Sequence, residues 1–159
     1  MYENEGMSKD TLTEYQAGRL QTLVQEMVKC CEDRRIYENK SLGLPYAEIR
    51  CLLLFDGEQY LTVNEIARRM DVAKSRATKL VRGLLDKGYL ERTEDPRDTR
   101  VKLINTTDAG KKKIKEVEDF HLQIHKELIN LISPEDRSRM LGYLEMLRNS
   151  MEEIKQKLL

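Results

Sequence analysis

The segment ERTEDPRDTR, residues 91–100, separates two short runs that have the composition of β-strands, residues 89–93 and residues 100–105. Asp95 and Pro96 favour the start of a turn, which predicts a hairpin with Arg97 at its outer end. A rigid hairpin that carries an arginine at its tip suits entry into a narrow, negatively charged groove.

The residues before this hairpin predict two helices joined by a tight turn. Thr62 and Glu65 have the spacing of a capping box, and apolar residues repeat at helical intervals through residues 63–70. Residues 71–73 interrupt the pattern, and a second helix is predicted from residue 74 to about residue 87. A short helix, a tight turn and a longer helix with one basic face form a helix-turn-helix, to which the hairpin adds a wing.

The polar face of the second helix is the predicted DNA-reading surface. Arg76 is the expected main base reader, because arginine hydrogen-bonds to O6 and N7 of guanine, and Ser75 is expected to assist it. Lys79 and Arg82 are expected to contact phosphates. The complete set of candidate DNA-binding residues is Lys74, Ser75, Arg76, Thr78, Lys79, Arg82, Arg97 and Arg100. The alternative is that these side chains are ordinary solvated surface charges.

The distribution of charge supports a polyanionic partner. The 159-residue chain has no net charge, although 35% of it is charged. Residues 61–113 contain 14 basic and 8 acidic residues, whereas the remainder contains 14 basic and 20 acidic residues. The surplus of six positive charges therefore coincides with the predicted motif, where it would steer a polyanion. Ordinary variation along a helical protein is the alternative explanation.

Several classes of protein are not expected. No run of 18 apolar residues predicts a membrane span, and the N-terminal residues lack a signal pattern, so we expect a cytoplasmic protein. The sequence has no glycine-rich phosphate loop, nucleophile elbow or paired-carboxylate motif. We therefore expect neither an enzyme nor a resident cofactor.

The flanking sequences predict long amphipathic helices. A first helix is predicted over residues 10–37, a break over residues 41–45 and a short helix over residues 46–55. After the hairpin, residues 106–110 open a long helix, and Ser133 and Pro134 begin the last one. The predicted fold class is mostly α with a small β-hairpin wing, a winged helix-turn-helix flanked by long dimerisation helices.

This order predicts three regions. Residues 1–40 form an N-terminal dimerisation helix, residues 41–107 the winged helix-turn-helix, and residues 108–159 a C-terminal helix pair for dimerisation. The apolar stripes exceed what one small core needs, which favours a homodimer over an intramolecular helix hairpin. A dimer would read a pseudo-palindromic operator.

Five segments together resemble the MarR family of transcriptional regulators: LTVNEIARRM (61–70), ATKLV (77–81), LDKGYLER (85–92), DPRDTR (95–100) and TDAG (107–110). The resemblance implies a homodimeric winged-helix repressor or activator that senses a signal.

By position, the resemblance places the helix from Lys74 in the major groove and Thr78 and Lys79 at the family's Thr-Arg/Lys pair. It also places Arg97 at the wing tip in the minor groove. Asp95 and Asp98 match the acids that brace the wing. Two positions depart from the family pattern. Ala73 stands where a serine cap is common, so the N–H groups at the helix start are left without a side-chain partner or are capped by Asp71. Thr99 stands where a basic or small residue is common.

Cysteine and histidine residues offer alternative signals. Cys31 and Cys51 are expected to be buried and inert, because a cysteine that senses oxidants must have an exposed thiol with a low pKa. His121 and His125 have a zinc-compatible spacing, but His121 also fits the apolar seam as a packed imidazole. Further metal ligands could come from Cys30, Cys31, Glu118 or Glu48.

The leading hypothesis is a ligand-responsive regulator of double-stranded DNA, most simply a repressor. Its small-molecule effector would bind between the first helix and the DNA-reading module, near Met27, Cys31 and Tyr46. The alternatives are a metal- or thiol-redox-responsive regulator of the same fold, and a helical protein-interaction module that has lost DNA binding.

Overall fold

The computed structural model describes residues 9–98 and 100–158, which form six helices and one antiparallel hairpin. The elements in chain order are α1 (Lys9–Leu42), α2 (Tyr46–Leu53), α3 (Val63–Met70), α4 (Lys74–Asp86), β1 (Leu90–Glu94), β2 (Lys102–Thr106), α5 (Asp108–Asn130) and α6 (Pro134–Leu158). The predicted fold class, mostly α with a winged helix-turn-helix, is confirmed. Within the described residues no helix is both long enough and apolar enough to cross a lipid bilayer.

The first helix is longer than the sequence pattern predicted. It continues through Ser41 to Leu42 rather than ending near Tyr37. The chain leaves the helix at Gly43, whose φ of 65° is a left-handed conformation that glycine adopts without steric cost. The helix therefore ends at the glycine, and the polar residues before it continue the helical hydrogen bonding.

The wing strands pair antiparallel, with Leu90 opposite Thr106 and Glu94 opposite Lys102. A third segment joins this hairpin through Leu61, whose N–H donates to the carbonyl oxygen of Ile104 at 2.9 Å. The N–H of Ile104 donates back to the carbonyl oxygen of Leu61 at 2.8 Å. This bridge ties the start of the helix-turn-helix to the base of the wing.

The chain divides into two compact units, Met1–Lys111 and Lys112–Leu159. The first contains the winged helix-turn-helix, whose core includes fully buried Leu52, Ile66 and Val81. Each such side chain contributes roughly 1.5–3 kcal/mol by leaving water. In the second unit Ile114 and Val117 of α5 are buried.

Helix α6 differs from the core helices because none of its residues is buried. Its large apolar side chains stand in solvent in the single chain, among them Tyr143, Leu144, Met151 and Ile154. An amphipathic helix normally covers its apolar face. The face of α6 is therefore available for a partner.

Candidate nucleic-acid interface

A complete capping box fixes the start of α3. The N–H and hydroxyl of Thr62 donate to Oε2 of Glu65 at 2.7 and 2.8 Å, and the N–H of Glu65 donates to the Thr62 hydroxyl oxygen at 3.3 Å. The backbone N–H of Thr62, followed by its hydroxyl, holds the pKa of Glu65 below its ordinary value. The predicted capping box is thus present, and it sets the position of the first helix of the motif.

The turn between α3 and α4 depends on Asp71. Its φ of 54° and ψ of 53° are left-handed, a conformation that aspartate tolerates better than most residues. Its N–H and that of Val72 donate to carbonyl oxygens of α3 at 3.2 and 3.0 Å. Ala73 stands at the start of α4, where no side chain caps the helix. The expectation of a less satisfied helix start is confirmed, and Asp71 does not supply the missing bond.

The packing of α4 on its neighbours determines which face it exposes. Ala77, Val81 and Leu84 have 0% of their surface accessible, so this stripe lies against the core. The predicted DNA-reading side chains of α4 occupy the opposite face and are all exposed: Lys74, Ser75, Arg76, Thr78, Lys79 and Arg82. The structure thus brings together every α4 residue of the predicted set.

The described part of the chain does not neutralise three of the charges on this face. Within residues 9–98 and 100–158, the side chains of Arg76, Lys79 and Arg82 form no hydrogen bond or ion pair. Their positive charge is therefore available to an external anion. The hydroxyl of Thr78, in contrast, donates to the carbonyl oxygen of Lys74 at 2.9 Å.

The two arginines of the wing have different environments. The backbone N–H of Arg97 donates to Oδ1 of Asp95 at 2.8 Å, and its exposed guanidinium forms no ion pair in the described part of the chain. Arg100 instead donates from Nε to Oδ1 of Asp98 at 3.0 Å and from Nη2 to Oδ2 at 3.2 Å. The side-chain hydrogen bonds of Arg100, and then its backbone N–H, hold the pKa of Asp98 below its usual range. Thr99 lies outside the described residues.

Cross-strand polar pairs stiffen the wing. Lys102 pairs with Glu94 on the facing strand, and the side-chain amide of Asn105 donates to Oε1 of Glu91 at 2.7 Å. Opposed charges across an antiparallel pair contribute about 0.2–1 kcal/mol. The acids of the wing are therefore largely engaged with its own bases and amides.

A junction that the sequence analysis missed connects the end of α4 to the start of α5. The hydroxyl of Thr107 donates to the carbonyl oxygen of Gly88 at 2.6 Å. The backbone N–H of Thr107 donates to the carbonyl oxygen of Tyr89 at 3.1 Å. The N–H of Gly110 donates to the Thr107 hydroxyl oxygen at 3.0 Å. A Cβ on Gly110 would lie 2.0 Å from the carbonyl oxygen of Tyr89. In the sequence, TDAG is only one of the segments that resemble the family. The structure adds a physical reason for its last residue, because only glycine fits at position 110.

A second contact that the sequence did not indicate joins α2 to α4. Nζ of Lys87 lies 2.6 Å from Oε2 and 2.9 Å from Oε1 of Glu48. The Glu48 carboxylate occupies the space over Gly83, where an added Cβ would meet Oε1 at 2.6 Å. The pair holds the C-terminal end of α4 against α2.

A cavity of about 520 Å³ lies beside this contact, between the start of α2 and the exposed side of α4. Its lining comprises Pro45, Glu48, Arg76, Lys79, Leu80, Arg82, Gly83 and Asp86. The sequence analysis places the effector in another region, near Met27, Cys31 and Tyr46, none of which lines this cavity. There, Met27 and Cys31 are exposed, and the ring of Tyr46 is covered by the Arg35 guanidinium at 4.3 Å from its centroid.

The three cysteines divide into two environments. Cys51 is buried, as expected, and burial, reinforced by the charge of Glu48, raises the pKa of its thiol to about 12. Cys31 is exposed in the chain, as is Cys30, so the expectation of a buried Cys31 was wrong. The long α1 carries its apolar stripe on a surface that the single chain does not cover.

The two histidines lie one turn apart on α5, where the backbone of the helix engages one of them. Nδ1 of His125 lies 2.6 Å from the carbonyl oxygen of His121, so this ring nitrogen is engaged by the helix backbone. Among the described residues, no group of three or more His, Cys, Asp or Glu side chains comes together as a metal site would require.

The arrangement of α3, α4 and the hairpin agrees with a known family. The model of the MarR family matches residues 42–101, which span α2 to the wing. Over this stretch the chain is similar to the MarR family. Its fold is a winged helix-turn-helix, and two curated relatives that match it are described as HTH-type transcriptional regulators.

Individual relatives are similar over most of the chain. YdgJ of Bacillus subtilis, an uncharacterized HTH-type transcriptional regulator, is 22% identical over 112 residues, which cover 70% of this chain and 68% of that protein. A mutant of S. aureus MepR shares the fold with a TM-score of 0.77 at 21% identity, over 82% of this chain and 97% of that one. Streptococcus pneumoniae FabT, solved in complex with DNA, has a TM-score of 0.71 at 19% identity, over 85% of this chain and 99% of the FabT chain.

Proposed function

We propose that this protein is a homodimeric, effector-responsive regulator of the MarR type, most simply a repressor, that reads a pseudo-palindromic operator. The observation that carries the proposal is the set of cations on the exposed face of α4, centred on Arg76, that form no ion pair with the described residues. The guanidinium of Arg97 likewise has no ion-pair partner among them. Cations that the protein leaves unpaired cost little to transfer to a phosphate or a base edge, because no internal ion pair has to break.

The two parts of this surface suit different grooves. A helix of α4's width fits the major groove, where Arg76 can hydrogen-bond to O6 and N7 of guanine. The wing presents Arg97 on a narrow hairpin, which suits a minor groove with enhanced negative potential. Lys79 and Arg82 would then contact phosphates, and Asp95 and Asp98 would brace the wing through their bonds to Arg97 N–H and to Arg100.

Homodimerisation is supported by each unit separately. In the first unit α1 exposes Leu12, Leu20, Leu23 and Met27. In the second unit α6 buries none of its residues. Residues 1–40 and 108–159 are therefore proposed as the dimerisation regions. A two-fold dimer would present its reading helices to half-sites about one helical turn, roughly 34–36 Å, apart.

Effector response is supported by the cavity beside α4. Arg76 and Lys79 belong both to its lining and to the proposed reading face. A small molecule with higher affinity for the DNA-free form would lower the fraction of protein on the operator. The test is release of a bound duplex in a screen of small molecules.

The DNA-binding test compares two charge deletions. Arg76→Ala should weaken binding to the duplex upstream of the chain's own coding sequence by about tenfold or more. Lys115→Ala removes the same charge from an exposed site on α5, and binding should change little. If the unmodified protein retains no duplex, including any from a randomised pool, the chain is better explained as a protein-interaction module.

The dimer test places one negative charge on either side of α6. Met151→Glu puts a carboxylate on the exposed apolar face and should shift sedimentation equilibrium toward the monomer. Asn149→Glu introduces the same side chain on the polar side of the helix and should leave the dimer intact. A wild-type protein that sediments as a monomer at micromolar concentration contradicts the proposal.

A further inference from the structure

The single hydroxyl hydrogen of Thr78 is engaged in a hydrogen bond within α4. The hydroxyl donates to the carbonyl oxygen of Lys74 at 2.9 Å, one turn earlier in α4. A threonine hydroxyl has one donor hydrogen and two acceptor lone pairs. Thr78 therefore offers an outside partner no hydrogen-bond donor, although its side chain is exposed in the middle of the basic face.

Two chemical features remain on Thr78 for recognition, the γ-methyl group and the acceptor side of the oxygen. Lys74 and Arg82 stand one turn before and one turn after it on the same face of the helix, and both are exposed. Cations at these two positions can hold phosphates on either side while Thr78 faces the bases between them.

The major groove contains one apolar feature that matches this residue. Thymine is the only one of the four bases with a methyl group there, and the methyl of a threonine is a suitable contact for it. The other option is that the Thr78 oxygen accepts a hydrogen bond from the amino group of adenine or cytosine. Each of the two options depends on a different atom of the side chain.

We propose that Thr78 is a specificity-determining residue that selects a thymine in each half-site by contact between its γ-methyl group and the thymine C5-methyl. The proposal rests on the proposed insertion of α4 in the major groove. It assigns Thr78 an apolar reading role distinct from the hydrogen bonding expected of Arg76.

The experiment removes the two methyl groups separately and together. Wild-type protein first selects a duplex from a randomised pool, and each thymine of the selected half-site is then replaced by deoxyuridine, which lacks only the methyl. One replacement should weaken binding about fourfold, the effect of losing one buried methyl group. Thr78→Ser should cause a loss of similar size on the thymine duplex and no further loss on the deoxyuridine duplex.

Thr78→Val provides the matched control, since it keeps a methyl and removes the hydroxyl. It should retain the preference for thymine over deoxyuridine. Thermal unfolding of all three proteins checks that the exposed substitutions leave the fold unchanged.

Independent, additive losses from Thr78→Ser and deoxyuridine would overturn the proposal. So would a valine variant that loses the thymine preference while the serine variant keeps it, since that result identifies the oxygen as the reading atom. Failure of the underlying function gives a different result, because the wild-type protein would then enrich no sequence from the pool.

Discussion

Arg100 is held by both carboxylate oxygens of Asp98, at 3.0 and 3.2 Å, within the turn at the wing tip. Arg97, three residues earlier, uses its backbone N–H for Asp95 and leaves its guanidinium without an ion pair in the described residues. Two arginines that look equivalent in the sequence therefore have different amounts of charge to offer DNA.

This difference predicts unequal effects of deleting the two side chains. Arg97→Ala should weaken operator binding several-fold and reduce the dependence of log Kd on log salt by about one unit per subunit. Arg100→Ala should reduce that slope by less, because Asp98 already compensates the charge. Titrations at several salt concentrations measure both slopes, and equal reductions would contradict the assigned roles.

The capping box predicts a pH-dependent contribution to stability. The pKa of Glu65 is lowered in the folded protein, so its carboxylate stabilises the fold above the ordinary value of 4.5. That contribution is lost as pH falls through the folded-state pKa. The stability difference between wild type and Glu65→Gln should therefore shrink from pH 7 to pH 3 in denaturant unfolding. Thr62→Ala should cost about 1 kcal/mol at neutral pH.

The space around two glycines predicts opposite effects of replacing them by alanine. Gly110→Ala should lower the melting temperature strongly, because its Cβ would lie 2.0 Å from the Tyr89 carbonyl oxygen and the backbone would have to move. Gly18→Ala adds a methyl where nothing lies within 4 Å. It should stabilise α1 by up to about 1 kcal/mol through helix propensity. A tolerated alanine at position 110 would show that the junction is loose.

The environment of Cys51 predicts a protected thiol. In a Cys30→Ser, Cys31→Ser variant, Cys51 is the only remaining cysteine. With a pKa of about 12 and a buried side chain it should react with a thiol reagent at pH 8 far more slowly than a model thiol. Denaturant should restore rapid reaction. Fast labelling of the native variant would mean that the core around α2 opens readily.

The helix-turn-helix was predictable because its signals are local. The Thr62 and Glu65 cap, the break at Asp71 and the turn chemistry of Asp95 and Pro96 all act within a few residues. The bounds of α3 were predicted as observed, and those of α4 to within one residue. The end of α1 was missed because Gly43, rather than the polar residues before it, terminates the helix.

Contacts between distant residues were not predictable in the same way. Lys87 and Glu48 are 39 positions apart, and nothing in either local sequence indicates the pairing. The same applies to Thr107 and the carbonyl oxygen of Gly88. The asymmetry between Arg97 and Arg100 arises because, among the described residues, the Arg100 guanidinium reaches an acid and that of Arg97 does not. That difference depends on the geometry of the turn rather than on composition.

The balance of charge on the wing has a consequence for how the protein would search a genome. Residues 91–102 hold four acidic and four basic side chains, so the wing as a whole would attract random duplex only weakly. Sliding over non-target sequence would then rely on the cations of α4, and dwell times there would be short. The wing would bind stably only where a narrow minor groove has enough negative potential to hold a single guanidinium.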